Sequence, residues 1–496
     1  MPVDWRSGLS TKPVRLSTFA VRCVPVREVC TPQQGTKMKR IALIIGAVAA
    51  ATGAIAQAQQ ADIAIVNATV LPMTKTERLT GQTVLVKSDR IVAVGPVSAV
   101  GVPTSARRID GTGKVLMPGL VDMHVHLAPT EGNAGDAAQR SLAVMLAYGV
   151  TTARGMAGSP GNLVVRGKLE SGELAGPRFY AAAPALHDKN TTTAEQGREA
   201  VRKAKAAGFD LIKSHNLPDP VIWQAVADEA RKQGIPTAGH VTNPVGLDRA
   251  MAAHQQVEHL DGTIAELIPA MAPENKIAFD QIPPPLILRL AAKRTDAQLD
   301  AFARKVAAAK SWHVPTLSLF ERISDTETPT ERLLADPVLR YVPAAALQNW
   351  SKQREQLKSE FTPSDAALFR DIRRRMIAAF HRAGVHMMSG SDTAQAFHLW
   401  GPGLHEEIRA FAAAGLSPIA ALRTATVEPR DYFRSLPKDG SALGWKADFG
   451  TVEPGARADL ILLRGDPSRD LSALRQLDTV IAGGRVITCM GRPKPG

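Results

Sequence analysis

The middle of the chain alternates between short apolar runs and longer amphipathic stretches rich in alanine. Apolar runs of strand length lie at residues 117–123, 149–154, 178–183, 209–213, 236–241, 256–259, 313–318 and 385–391. Helical stretches lie between them at 134–148, 195–207, 219–233, 244–254, 297–311 and 364–383. Eight such units favour a parallel (β/α)8 TIM-like barrel over a doubly wound open sheet. Functional groups of such barrels lie at the C-terminal ends of the strands.

Both ends of the chain follow a different pattern, with short alternating strands separated by turns. Strand-like runs occur at 62–66, 83–86 and 90–94, and again at 458–463 and 479–482. Because the two ends share this style, we predict an α/β protein in which residues 59–115 and 441–496 form one small β-sandwich domain. Residues 116–440 then form the barrel. Two long segments, about 260–312 and 319–363, are predicted to be lids over its mouth.

Residues 38–58 have the layout of a secretory signal peptide. Lys39 and Arg40 precede an apolar run at 41–56 that ends in small residues. A run of about 16 residues is short for a transmembrane helix, which needs roughly 20. We therefore expect an exported protein, periplasmic or secreted, with no stable membrane anchor after cleavage. An uncleaved N-terminal anchor is the alternative. Residues 1–37 fit no signal layout and are interpreted as an extension from a misplaced start.

The charge of the chain does not indicate nucleic-acid binding. The formal net charge is +13, but the first 56 residues hold eight Lys or Arg and two acids, which leaves +7 for the rest. The remaining basic residues are scattered among acids, and no basic stripe is interleaved with aromatic residues. Beyond the predicted signal peptide Cys489 is the only cysteine, so that part of the chain has no intramolecular disulfide.

Two histidines close the first apolar run, in the sequence PGLVDMHVH at 118–126. His124 and His126 are two positions apart on a strand, so both side chains lie on one side of it. At the end of a barrel strand that side is the interior, where two imidazoles can bind one metal ion. The pattern therefore predicts a metal site.

Single histidines close two further strands. His240 follows the fifth predicted strand, and His259 follows the sixth. Alone, each is more typical of a polar cap or a hydrogen-bonded core histidine. Together with His124 and His126 they place four imidazoles at strand ends, a set that suits zinc or a related divalent ion. His215, His254, His313, His381 and His386 lack such a position or a partner and are interpreted as structural.

A carboxylate and an amine complete the set. Asp392 ends the eighth predicted strand, where it can bind a metal and act as general base and then general acid. Lys213 ends the fourth predicted strand, and its ammonium form would repel metal ions. The amine suits this position if it has reacted with carbon dioxide to give a carbamate that bridges two metals. A lysine that faces substrate or solvent is the alternative.

These residues and their order resemble the amidohydrolase superfamily, and more narrowly its imidazolonepropionase-like and prolidase-like members. The resemblance covers nearly all of residues 61–485. The matching segments are PGLVDMHVH at 118–126, DLIK at 210–213, GH at 239–240, VEH at 257–259, SGSDT at 389–393 and GTVEPG at 450–455.

The resemblance implies a specific role for each of the site residues. His124, His126 and Asp392 would bind one metal, His240 and His259 the second, and carboxylated Lys213 would bridge the two, which are expected to be zinc. A metal-bound hydroxide would attack the scissile carbonyl, and Asp392 would pass the proton to the leaving amine. His187 is a candidate for substrate binding near the end of the third strand. The resemblance also leaves a homo-oligomer open.

The expected function is hydrolysis of an amide C–N bond in a small molecule or short peptide, such as a dipeptide or an N-acyl amino acid. The same ligand set can act on a cyclic amide, a lactone or a phosphoester, because the ligands do not choose the electrophile. A third hypothesis is a non-catalytic exported metal-binding protein. It is disfavoured because none of the expected ligands is missing.

Overall fold

The computed structural model describes residues 60–75, 78–127, 135–267, 289–360, 362–437 and 444–487. The predicted extension at 1–37 and the predicted signal peptide at 38–58 lie outside these residues, as does 268–288 of the first predicted lid. In the part of the chain that is described, no helix is both long enough and apolar enough to cross a membrane.

The described residues contain sixteen strands. They are β1 (Ile63–Val70), β2 (Leu79–Lys87), β3 (Arg90–Pro96), β4 (Arg107–Asp110), β5 (Val115–Pro118), β6 (Leu120–Val125), β7 (Val150–Gly155), β8 (Arg178–Ala181), β9 (Ile212–Ser214), β10 (Thr237–Gly239), β11 (Gln256–Glu258), β12 (Trp312–Val314), β13 (His386–Met387), β14 (Leu460–Leu463), β15 (Leu477–Ala482) and β16 (Arg485–Ile487).

The α-helices lie mainly between and after the parallel strands. They are α1 (Gly135–Ala147), α2 (Pro160–Ser171), α3 (Ala194–Ala207), α4 (Pro220–Lys232), α5 (Leu247–Ala252), α6 (Thr263–Leu267), α7 (Asp296–Ala308), α8 (Leu317–Ile323), α9 (Thr330–Leu334), α10 (Ala344–Glu360), α11 (Pro363–Ala383), α12 (Pro402–Ala413), α13 (Pro418–Thr424) and α14 (Val427–Ser435). Short 3-10 turns occur at Pro337–Tyr341 and Leu471–Arg475.

Helix α11 illustrates why these segments are helical. Its N-cap Thr362 accepts a hydrogen bond from the Asp365 amide, and Pro363 occupies the first turn, where its missing N–H costs nothing. The helix ends at Gly384, whose φ of 75° is the left-handed conformation that glycine adopts at little cost. Apolar residues such as Ile377 and Phe380 lie on its buried face and pack into the main core.

Strands from both ends of the described chain form one eight-stranded sheet, in the order β16-β15-β14-β5-β1-β2-β3 with β4 beside β1. The ends meet where β5 pairs antiparallel with β14, with Leu460 opposite Pro118. Side chains of Ile65, Leu116 and Leu460 are buried in one apolar cluster of this sheet. Full burial of such a side chain stabilises the fold by about 1.5–3 kcal/mol.

The remaining eight strands are parallel and lie in two sheets, β6-β7-β8 and β13-β12-β11-β10-β9. Isolated parallel bridges join the sheets at both edges, between Ala182 and Leu211 and between Val125 and Thr393. Each strand coincides with one of the eight predicted apolar runs. The C-terminal ends of all eight therefore lie on the same side of this assembly.

Several predicted strands are longer than the observed ones, and the run 313–318 differs most clearly. The run 313–318 was predicted to be extended throughout, but β12 ends at Val314 and α8 begins at Leu317. Thr316 between them has a φ of 49°, which turns the chain out of the strand. Glu407 then accepts hydrogen bonds from the amides of Leu317 and Ser318 at 3.0 and 2.7 Å, which satisfies the start of the helix. The second predicted lid, 319–363, is largely helical, in α8, α9 and α10.

Candidate metal centre

The predicted ligands converge at the C-terminal ends of the parallel strands. His124 and Lys213 lie within β6 and β9, His126, His240 and His259 directly follow β6, β10 and β11, and Asp392 lies five residues after the end of β13. The His259 ring lies between its neighbours, with centroids 4.9 Å from His124 and 4.5 Å from His240. The His124 and His126 rings are 5.2 Å apart. Six residues that are distant in sequence therefore line one site.

Asp392 contacts both histidines of the HxH motif. Its Oδ1 lies 2.8 Å from His126 Nε2 and 3.4 Å from His124 Nε2. These three residues offer ligand atoms within 4.8 Å of one another, which is close enough to hold one metal ion. Burial alone would raise the pKa of Asp392, but the attraction of His124 and the hydrogen bond of His126 lower it overall. The carboxylate is thus kept ionised, as a ligand must be.

His240 and His259 are each oriented by a neighbouring oxygen. His240 Nδ1 lies 2.7 Å from Asp261 Oδ2, and His259 Nδ1 lies 2.7 Å from Thr316 Oγ1. A carboxylate at Nδ1 assigns the ring proton to that nitrogen and leaves the Nε2 lone pair of His240 for a metal. His240 is about a third exposed, whereas His259 is buried. Burial lowers the pKa of His259 well below its ordinary value, so its ring is neutral.

Lys213 is the least expected side chain in this interior. It is 1% exposed, and its Nζ has no hydrogen-bond partner among the described residues. Burial lowers the pKa of its amine, although Glu258 and Asp392 attract the charged form. A buried ammonium without a hydrogen-bond partner is costly, and this one is close enough to His124 and His259 to lower the pKa of both rings. His124 Nε2 is likewise buried and forms no hydrogen bond with the described residues, although Asp392 Oδ1 lies 3.4 Å away. Both atoms fit a site that holds metal ions.

Glu258 orients the most deeply buried ligand, and sequence reasoning missed it. Its Oε2 lies 2.7 Å from His124 Nδ1, and its Oε1 accepts a hydrogen bond from Arg154 at 2.9 Å. Arg154 also donates to the Met123 carbonyl at 2.8 Å, which ties β7 to β6. Glu258 lies close enough to His124 and His259 to act as a ligand itself. Because both of its oxygens are engaged, we interpret it as the residue that fixes the His124 tautomer.

A second buried acid, Asp122, links β6 to the segment that follows β13. Asp122 accepts hydrogen bonds from the Ser391 amide at 2.9 Å and from the Ser391 hydroxyl at 2.5 Å. Burial raises the pKa of Asp122 to about 6, against the lowering effect of these bonds. The bonds hold the turn that carries Asp392 beside β6. Asp392 itself has a φ of 54°, a conformation that costs a non-glycine residue energy and is concentrated at functional sites.

Two further histidines lie near the site. His187, the predicted substrate-binding residue, follows β8, is partly exposed, and accepts a hydrogen bond at Nδ1 from the Lys189 amide at 3.2 Å. His215, interpreted as structural from the sequence, instead packs its ring against His240, with centroids 4.8 Å apart. Its position, two residues after Lys213 on the same strand path, places both side chains on one face.

Parallel strands with imidazoles, a carboxylate and a buried lysine at their C-terminal ends define the class of metal-dependent hydrolases. A sequence model described as the amidohydrolase family matches residues 115–487. The chain belongs to this family. As a member it is a hydrolase that acts on carbon–nitrogen bonds and depends on metal.

The chain also resembles individual proteins. A prolidase candidate from Bifidobacterium longum aligns at a TM-score of 0.62 with 24% identity, over 88% of this chain and 95% of that one. A Xaa-Pro dipeptidase with methionine in its active site aligns at 0.60 with 19% identity, over 86% and 99%. These likenesses show the fold. A 5-methylthioadenosine/S-adenosylhomocysteine deaminase of Symbiobacterium thermophilum is 42% identical over 69 residues, which is 14% of this chain and 16% of that relative.

Proposed function

We propose that the protein uses two zinc ions to hydrolyse an amide bond in a small substrate such as a dipeptide or an N-acyl amino acid. The observation that carries this proposal is the buried Lys213, whose amine has no hydrogen-bond partner among the described residues and interacts electrostatically with His124, His259 and Asp392. Two solved structures with this fold are described as prolidase-type enzymes, which supports a peptide-like substrate.

The chain offers ligands for two neighbouring metals. His124, His126 and Asp392 would hold the first, and His240 and His259 the second. Lys213, converted to a carbamate by carbon dioxide, would bridge them, because the reaction replaces a repelled cation with an anion of two oxygen ligands. Metals bound here supply Lewis acidity and lower the pKa of water.

The protein's own residues then bind, orient and move protons. Asp392 is mostly buried and ionised, so it can accept a proton at Oδ2, the oxygen that does not contact His126, and return it to the leaving nitrogen. Glu258 and Asp261 hold His124 and His240 in place during turnover. His187 and His215 lie on the side of the site next to His240 and are candidates for substrate contact.

Three broader expectations accompany this function. We propose that the eight parallel strands close into a barrel, which the bridges at both sheet edges support. We also propose that the sheet shared by both chain ends belongs to a β-sandwich domain, which the pairing of β5 with β14 supports. Export to the periplasm or the medium is proposed on the pattern of residues 38–58 alone.

The first experiment is the metal content of the purified protein, measured beside Lys213→Ala and the exposed control Lys203→Ala. We expect about two metals per chain in the wild type and the control, and fewer in Lys213→Ala. A wild-type chain with one metal or none, unchanged by the Lys213 substitution, would contradict the bridged centre.

The second experiment tests the bond. A panel of dipeptides and N-acyl amino acids is run beside a cyclic amide, a lactone and a phosphoester. Cleavage confined to the latter three would replace the amide assignment, and a metal-replete chain inactive on all of them would favour a binding protein.

A further inference from the structure

Arg373 of helix α11 is a cationic side chain that lies in the interior beside the metal centre. Arg373 is 5% exposed, and in the described part of the chain none of its nitrogens forms an ion pair with a carboxylate. Its Nε has no hydrogen-bond partner among the described residues. Taking a guanidinium out of water without a paired anion is expensive. We therefore expect the contacts of Arg373 to have a role in the neighbouring site.

The contacts of Arg373 are with two strand ends. One terminal nitrogen donates to the carbonyl of His259 at 2.9 Å and to the carbonyl of Pro315 at 2.9 Å. The guanidinium also lies over the rings of Phe320 and Phe369, 3.9 and 5.3 Å from their centroids. Cation–π contacts of this kind partly replace the lost hydration. They also fix the plane of the donor group.

The two carbonyls belong to backbone that is held in a rare conformation. His259 and Leu260 have φ of 62° and 59°, and Thr316 after Pro315 has a φ of 49°. Left-handed backbone at non-glycine residues persists only where the surroundings impose it. The two strand ends are also linked directly, through His259 Nδ1 and Thr316 Oγ1. Arg373 thus bridges the turns that bring this pair of side chains together.

We infer that Arg373 is a positioning residue for the second metal subsite, formed by His240 and His259. It acts on His259 through the carbonyl of that residue. It acts on His240 through the same turn. The amide of Asp261, which orients His240, donates to the backbone carbonyl of Glu258 at 3.0 Å and so closes the turn over His259 and Leu260. The first subsite is held by other residues, Asp122 and Ser391 beside Asp392.

The charge of Arg373 is compatible with this role. Burial lowers the pKa of Arg373 to about 10, and attraction by Asp261 and Glu407 opposes the fall. The side chain therefore remains a cation at neutral pH and keeps its donors. It also attracts the Asp261 carboxylate that His240 requires.

The test is a metal titration of the demetallated full chain with zinc, followed by calorimetry and elemental analysis. This inference rests on the proposed two-metal function, and the readout does not require a substrate. We expect Arg373→Met to weaken the second binding event about 10- to 100-fold and to leave the first unchanged. Arg373→Lys should fall between, because a lysine offers a point charge without the planar fork.

Arg354→Met is the matched control. Arg354 is also buried, with an Nε that has no hydrogen-bond partner among the described residues, but it donates to the Thr328 carbonyl and lies 3.9 Å from Asp325, neither of which is a predicted ligand. It should bind both metals like the wild type. Unchanged affinity for both metals in Arg373→Met would overturn the inference, and so would an equal loss at both sites in a folded variant.

If Arg373→Met does not fold by near-UV circular dichroism, Arg373→Lys and Thr316→Val decide in its place. Selective loss of the second metal in these variants supports the inference, and wild-type binding or an equal loss overturns it. A wild-type chain that binds fewer than two metals overturns the two-metal function itself. That result is distinct, because it appears before any variant is made.

Discussion

The two halves of the metal centre are built differently. In the first subsite the ligands touch one another, since Asp392 contacts both His126 and His124. His124 is in addition held by Glu258, a residue outside the proposed ligand set. In the second, the closest contacts of the two rings are with supporting residues, Asp261 for His240 and Thr316 for His259, while Asp392 Oδ2 is 3.6 Å from His259 Nδ1 and His240 is about a third exposed. A site whose ligands organise one another is preformed before metal arrives. A site organised through supporting residues depends on those supports, so we expect its metal to be the more easily lost.

We expect the largest effect from replacing Asp392, which is proposed both to bind metal in the first subsite and to transfer the proton. Asp392→Asn should lower kcat about 10²- to 10⁴-fold, because an amide accepts no proton and is a poorer ligand. Turnover of the best substrate from the panel measures this, with the exposed Asp431→Asn as the control. Activity within tenfold of the wild type would show that another group moves the proton.

Substitution of the carboxylates that orient the histidine ligands should have a smaller effect, which differs between the two subsites. Glu258→Gln should weaken the first metal and Asp261→Asn the second, each about 10- to 100-fold, since each loses the carboxylate that fixes a ligand tautomer. Zinc titration of the demetallated variants measures both affinities. If each substitution weakened both metals equally, the two subsites would form one cooperative unit.

The smallest effect concerns stability and involves two buried acids, Asp122 beside the turn that carries Asp392 and Glu407 at the start of α8. Burial raises the pKa of Asp122 to about 6 and that of Glu407 to about 7, above their ordinary values. A carboxyl group with a raised pKa in the folded state stabilises the fold while protonated. That contribution is lost as the pH rises through the folded pKa.

The demetallated protein should therefore lose stability between about pH 4.5 and 7, by at most about 3 kcal/mol for Glu407. Urea unfolding across this pH range measures the slope. In Glu407→Gln the slope between about pH 6 and 7 should disappear, whatever the absolute stability of the variant. A slope that persists there would assign the proton to another group.

The main elements of this fold were predictable because they follow from periodicity. Each of the eight parallel strands overlaps a predicted apolar run, and the six predicted ligands converge because parallel strands bring their C-terminal ends to one side. The exception, 313–318, is instructive. Its apolar pattern is compatible with a strand or a helix. The start of the helix at Leu317 is stabilised by Glu407, which is far along the chain and whose contact the local sequence does not indicate.

The residues that support the ligands were not predictable in the same way. Glu258 and Asp261 flank His259 in sequence, yet each orients a histidine from another strand, which is a relation in space only. The contact of His215 with His240 was not predicted, because it depends on how β9 and β10 align. Arg373 looks like one charge among several on an amphipathic helix until its depth of burial is known.

The pairing of β5 with β14 also constrains how this protein is made. The partner of Pro118 is Leu460, so the sheet that supports the first ligand-bearing strand is completed only when nearly the whole chain is present. Contacts of such long sequence separation slow folding, because a large loop must be closed before they form. A ribosome-bound or truncated chain would leave the edge of β5 open to pairing with another molecule. The order of synthesis thus delays completion of this enzyme's fold, and stopping early risks aggregation.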